Sequence, residues 1–152
     1  MYIKKLIYEN VGPIEQVAIT PSFTPEGNPK PIILVGENGT GKSTILSNIV
    51  DSFYEMARQA YDNACETDGG SGYQYYKAIL RSDIHIGKQT MFSCIQFDDN
   101  NENFTYLYKS GHLENDFVHQ RLDGISLDGL SWQPDANYKG ITINKKKTED
   151  IF

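Results

Sequence analysis

A chain of 152 residues that is 39% hydrophobic and 22% charged, with 10 Tyr and 7 Phe, is of single-domain size and can bury one core, which excludes a mainly disordered chain. Lys plus Arg number 14 against 20 Asp plus Glu, a net charge of −6, so the surface as a whole repels phosphate backbones and nucleic-acid binding by this chain is not supported. No apolar run approaches the ~20 residues of a membrane span, the N-terminus lacks the apolar core of a signal peptide, and Cys65 and Cys94 form no CxxC pair; reduced thiols in a cytoplasm are expected.

In chain order, residues 2–8 and 16–20 are rich in β-branched and aromatic side chains and flank Gly12-Pro13, a strong turn signal, which predicts two strands. Residues 21–31 hold four prolines with Gly27 and Asn28 and predict a surface loop. The run "PIILV" that follows has the composition of a strand buried on both faces of a parallel sheet. Beyond a glycine-rich turn, Ile45, Ile49, Val50, Phe53, Met56, Ala57, Ala60, Tyr61 and Ala64 recur every three to four residues, predicting a helix that ends near Cys65, roughly 30 Å long.

"CETDGGSG" breaks that pattern with three glycines and is expected to be a loop. Residues 73–81 fit helix and strand equally. Residues 90–97 and 104–108 are aromatic and apolar, and the "DDNNEN" between them is made of turn formers, so the pair predicts an antiparallel hairpin. From residue 111 the signals weaken. "GHLENDFVHQRL" suggests a short helix, "ITIN" a strand, and "KKKTEDIF" a solvated tail. The expected organisation is therefore initial strands and loop over 1–35, a glycine-rich loop and helix over 36–65, a β-subdomain over 73–110, and a loosely structured part over 111–152.

The chemistry lies in "GENGTGKST". Gly36-x-x-x-x-Gly41-Lys42-Ser43 fits the phosphate-loop pattern, with a predicted buried strand before it and an amphipathic helix after it. Glycines at 36, 39 and 41 allow positive φ and close approach of backbone N–H groups to phosphate oxygens. The helix start adds its partial positive charge to the same point. Lys42 is expected to reach the β- and γ-phosphates and the Ser43 hydroxyl to ligate Mg²⁺, with Gly36, Glu37, Asn38, Gly39, Thr40, Gly41, Lys42, Ser43 and Thr44 forming the nucleotide site for ATP.

With "ILSNIV" after it and "IKKLIYENVGPIEQVAI" before it, this loop resembles the Walker A region of the ABC-type P-loop ATPase heads of the SMC, RecF and overcoming-lysogenization-defect group, among the AAA family ATPases. Asn38-Gly39 and the "ENVGPIE" entry are its specific parts, and it covers residues 1–60 well and the hairpin loosely. The resemblance implies an α/β, three-layer P-loop NTPase core with a mostly parallel sheet plus an antiparallel β-hairpin region. It also implies two heads sandwiching two ATP molecules, and a setting in DNA repair or anti-phage defence beside a nuclease or toxin effector.

The chain departs from the family pattern: no signature stretch follows residue 110, no Asp-Glu pair ends an apolar strand, and "GGSG" at 69–72 comes too early. The expectation is the N-terminal part of a head, whose partners are its C-terminal half and a second head, with catalytic residues unknown. Two other readings stay open: a complete small NTPase or phosphotransferase with Asp98 or Asp99 as the metal-holding acid, and a non-catalytic nucleotide-binding fragment that associates with a partner.

Weaker constellations favour bland readings. Asp98-Asp99 ends an apolar strand but runs into "NNEN", so a hairpin turn is expected there; Gln96 lies mid-strand and makes a poor Gln-loop residue. His112, Glu114, Asp116 and His119 lack a second ligand cluster and read as a solvated helix face. Trp132 is expected to pack, and neither cysteine has the basic setting of a nucleophile.

Overall fold

The computed structural model describes residues 1–62, 64–66, 74–75, 79–122 and 124–152. Five antiparallel strands form the main sheet: β1 (Tyr2–Val11), β2 (Ile14–Ile19), β5 (Met91–Asp99), β6 (Glu102–Ser110) and β7 (Tyr138–Ile141), in the order β2-β1-β5-β6-β7. The helices are α1 (Lys42–Ala57), α2 (Asn115–Leu122) and α3 (Lys145–Ile151). The short pair β3 (Cys65–Glu66) and β4 (Gln74–Tyr75) is parallel. Residues 69–72, and residues 73 and 76–78 of the ambiguous 73–81 segment, lie outside the described residues.

Two tight hairpins set the register. Gly12-Pro13 closes β1 onto β2 with Val11 opposite Ile14, and Gly12 takes φ +55°, where a side chain is strained. Asn100 and Asn101 both take positive φ between β5 and β6, which pair from Met91↔Ser110 to Asp99↔Glu102. Successive positive φ values at Asn-Asn make the primed turn that matches strand twist, so "DDNNEN" is a hairpin turn as expected.

Alternation along the strands produces two cores. Leu6, Tyr8, Met91, Ile95, Phe97, Phe104 and Tyr106 face Ile45 and Met56 of α1, with Phe53 lying 5.8 Å from Phe97 between ring centroids. Ile7, Phe92, Cys94 and Leu107 face Val118 and Leu122 of α2 and the segment carrying Ile125 and Trp132. Both faces of the sheet are thus covered, giving helix, sheet and helix layers. On the α2 side, fully buried Lys109 donates from Nζ to the carbonyls of Pro134 (2.9 Å) and Ala136, and lies 5.2 Å from the Trp132 ring centroid. Burial holds its pKa below the usual lysine value, and the carbonyls compensate for the lost water. Trp132 therefore packs, as expected. Burial also pushes the Cys94 thiol up to about 12, so it is inert as a nucleophile.

Three expectations are overturned. The sheet is antiparallel, not mostly parallel: all four neighbouring pairs, β2–β1, β1–β5, β5–β6 and β6–β7, run antiparallel, two of them as hairpins. "PIILV" is no strand: residues 31–35 join neither sheet, so the run has no neighbour to bury it. Ile33 is 81% exposed and Val35 88%. The helix after the loop ends at Ala57, short of Cys65, with turns following to residue 60.

The C-terminal stretch is more regular than composition suggests. "KKKTED" is helical because Asn144 caps it, its side-chain oxygen accepting from Lys147 N–H at 2.9 Å. Lys147 is not a free tail lysine: it pairs with Asp99 at 2.6 Å and Glu102 at 3.5 Å.

Among the described residues no helix is long and apolar enough to cross a membrane.

Candidate functional site

Residues 36–44 run from irregular backbone through a tight turn into α1. Gly39 takes φ +82° and Gly41, the residue before the helix, φ +94° with ψ 8°. A Cβ on Gly41 would lie 2.4 Å from Ile14 Cγ1, so this glycine is demanded both by its backbone angle and by β2 packed against it. A Cβ on Gly36 would lie 3.0 Å from Thr40 Oγ1. Thr40 donates from its hydroxyl to the Glu37 carbonyl at 2.9 Å, which fixes the turn that these glycines permit.

The start of α1 is left without a compensating side chain. No side chain caps it, and its first turn has no acidic residue. Its leading N–H groups and the positive end of the helix dipole therefore face outward uncompensated by protein charge. Lys42 folds back and donates to the carbonyls of Gly36 (2.7 Å) and Glu37 (2.5 Å), so its ammonium sits inside the curve of the loop. Ser43 is exposed beside it. A cavity of about 180 Å³ is lined by Pro13, Asn38, Gly39, Gly41, Lys42, Ser43 and Thr44. A second, of about 310 Å³, adds Gly12, Ser47, Ile79 and Asp83 to Pro13, Ser43 and Thr44.

The other sequence candidates stand elsewhere. Tyr2 pairs with Asp98, so Asp98 and Asp99 lie at the start of β1, whereas the loop packs on the β1–β2 turn at its far end. A ten-residue strand at ~3.3 Å per residue separates them by roughly 30 Å. The proposal that either acid holds a metal for the phosphate loop is thereby corrected. Both are engaged in ion pairs: Asp98 with Lys4 at 3.3 Å, Asp99 with the Met1 amine at 3.0 Å and with Lys147. The Lys147 hydrogen bond, followed by the one from the N-terminus, holds the Asp99 carboxyl below the usual carboxylate range.

Gln96 points to the α2 side of the sheet, since it alternates with Ile95 and Phe97 of the α1 side. It lines a polar cavity of about 540 Å³ with Asn103, Thr105 and Thr142 and does not reach the loop. His112 lies between Glu114, 2.7 Å from Nε2, and Asp135, beside Nδ1; these contacts, Glu114 first, raise its pKa. His119 and Asp116 are exposed on α2. Among the described residues no three His, Cys, Asp or Glu side chains are grouped to hold a metal ion.

Because Asp99 is held ionised, a pH effect follows with a definite sign. A depressed carboxyl contributes stability above its unfolded pKa, ~3.9, and that contribution is lost as pH falls through the folded value. Asp99→Asn is expected to flatten acid unfolding below about pH 4 while leaving nucleotide affinity unchanged, measured by thermal melts across pH and by titration with MgATP. A loss of affinity would restore the metal-holding role.

Sequence reasoning missed the segment that walls the larger cavity. Asp51, buried on α1, accepts the Ile79 N–H at 2.9 Å, and Asp83 accepts the Leu80 N–H at 2.7 Å. No local pattern announces such contacts, because their partner is backbone 28 residues away for Asp51.

Comparison with protein-family models matches residues 5–152 to an AAA domain. Comparison with curated proteins returned no match. The match spans nearly the whole chain and includes the loop and both sheet faces, and nucleotide binding and ATPase-type function go with that family. A glycine-shaped loop, an uncapped helix start and this match together assign the chain to the AAA domain family, P-loop ATPases found in SMC- and RecF-like proteins.

Proposed function

We propose that residues 36–44 hold the phosphates of ATP with Mg²⁺. The observation that carries this reading is the uncapped start of α1 next to the inward-folded Lys42. On binding, the ammonium would exchange two neutral carbonyl acceptors for phosphate oxygens, a charge-assisted contact roughly twice as strong. The N–H groups at the α1 start would hold the remaining phosphate oxygens. Ser43 offers an exposed hydroxyl, a hard oxygen donor that fits Mg²⁺, and the ion would neutralise charge between phosphates. The cavity lined by Ser47, Ile79 and Asp83 is available for the rest of the nucleotide.

The setting is proposed from an exposed apolar face. Ile32, Ile33, Val35, Leu46 and Val50 are exposed, and Ile32, Ile33 and Leu46 line one apolar cavity together with Ile45 and Ile49 of α1. Burying a side chain of this size is worth ~1.5–3 kcal/mol, so covering the face would contribute several kcal/mol. A further ATPase half whose strand pairs with "PIILV" would do this, and a second head would complete the catalytic set. By resemblance, DNA repair or anti-phage defence with a nuclease or toxin effector is the setting that fits. Calorimetric titration of the 152-residue chain with MgATP tests the binding reading, with saturable binding expected and a flat titration overturning it. A steady-state hydrolysis assay of the same chain is expected to be flat.

A further inference from the structure

Residues 79–85 tie the helix that carries the phosphate loop to the β1–β2 turn. At one end lies the buried Ile79–Asp51 hydrogen bond. At the other, the Gly12 N–H donates to the Asp83 carbonyl at 2.5 Å and the His85 N–H to the Asn10 carbonyl at 2.9 Å, while Val11 and Ile84 form an antiparallel bridge. The half-buried His85 ring adds a third bond, with Nδ1 2.8 Å from the Gly12 carbonyl oxygen. A carbonyl only accepts, so the ring carries its proton on Nδ1. Both polar atoms of Gly12 are therefore taken, one by Asp83 and one by His85.

The turn held in this way is the surface on which the phosphate loop rests. Ile14 and Pro13 fill the space beside Gly41, at 2.4 Å and 3.4 Å from where a Cβ would stand, and Thr44 lies 3.7 Å from the corresponding position on Gly12. Contact runs without a break from the His85 ring through Gly12–Ile14 to Gly41 and Thr44, the start of α1. An anion site made of backbone N–H groups works only while those groups converge, and displacements of about 1 Å are costly.

We infer that His85 is a positioning residue for the phosphate loop, acting through the Gly12 carbonyl and touching no phosphate itself. This rests on the nucleotide-binding reading above. A purely structural histidine would, on removal, lower stability without changing the affinity of the folded protein. A positioning histidine changes affinity as well.

The test compares the wild-type chain with His85→Ala and His85→Asn in three measurements: MgATP affinity by calorimetry, thermal unfolding, and amide exchange of the nucleotide-free protein. The Ile45 N–H, which donates to the Gly41 carbonyl at 3.0 Å as the first helical bond, is the exchange reporter. His85→Ala is expected to weaken MgATP binding about tenfold, the order of one lost hydrogen bond, and to speed Ile45 exchange by a similar factor. Asparagine, whose side-chain N–H can reach the same carbonyl, should restore both. Unchanged affinity and exchange in folded His85→Ala, or asparagine behaving as alanine, would overturn the assignment. Should the alanine variant not fold, His85→Phe, which keeps the ring and removes the donor, takes its place: weaker MgATP binding with faster Ile45 exchange supports the role, and wild-type values of both remove it. If the wild-type chain binds no MgATP, the nucleotide reading fails, and Ile45 exchange still decides whether His85 positions the loop.

Discussion

Lys42→Ala is expected to weaken MgATP binding by roughly 100-fold or more while leaving the fold intact. In the nucleotide-free chain the ammonium donates to the carbonyls of Gly36 and Glu37. Those carbonyls lie in an exposed loop and recover water when the lysine is removed, so the effect on stability is expected to stay below about 1 kcal/mol. On phosphate the same group makes hydrogen bonds to charged acceptors, worth ~1.5–3 kcal/mol each. Two such bonds, less what is lost at the carbonyls, come to about 3 kcal/mol, which is roughly 150-fold in affinity. Calorimetry with MgATP and a thermal melt on the same sample separate the two effects. Wild-type affinity in the variant would remove Lys42 from the site.

Gly41→Ala is expected to act in the opposite way, on the fold first. At φ +94° a Cβ costs ~1–2 kcal/mol, and its 2.4 Å approach to Ile14 Cγ1 forces a repacking worth a further ~1–3 kcal/mol. A loss of about 3 kcal/mol corresponds to a fall of roughly 10 °C in melting temperature for a domain of this size. Ile14→Ala alone opens a cavity and is also destabilising. In the double variant the alanine at 14 makes room for the alanine at 41, so the two losses should fall short of additivity by about 1–2 kcal/mol. Strict additivity, or a Gly41→Ala variant that melts like the wild type, would show that β2 does not press on the loop.

Legibility tracked how local the cause of each feature was. The β5–β6 hairpin was evident because its two strands and Asn-Asn turn are contiguous. "PIILV" has the composition of a buried strand, but composition says nothing of whether neighbours are present, and residues 31–35 join neither sheet. The lysine run at 145–147 reads as a tail in sequence because the groups that hold Lys147, Asp99 and Glu102, flank a turn more than 40 positions earlier. Asp98 and Asp99 were plausible metal ligands by residue type alone, and strand register put them at the wrong end of β1.

The match of residues 36–44 to the phosphate-loop pattern rests on local sequence alone. Glycines at 36, 39 and 41, a lysine at the helix start and a helix without an acidic first turn are properties of nine adjacent residues, and backbone sterics and helix electrostatics act over that range. What the loop leans on depends on long-range packing. The antiparallel strand order, the exposure of Ile33 and Val35, and the tie from His85 through Gly12 to Gly41 come from pairings between distant segments. Such pairings are selected by the burial of whole faces and the satisfaction of backbone groups, which no short window of sequence contains.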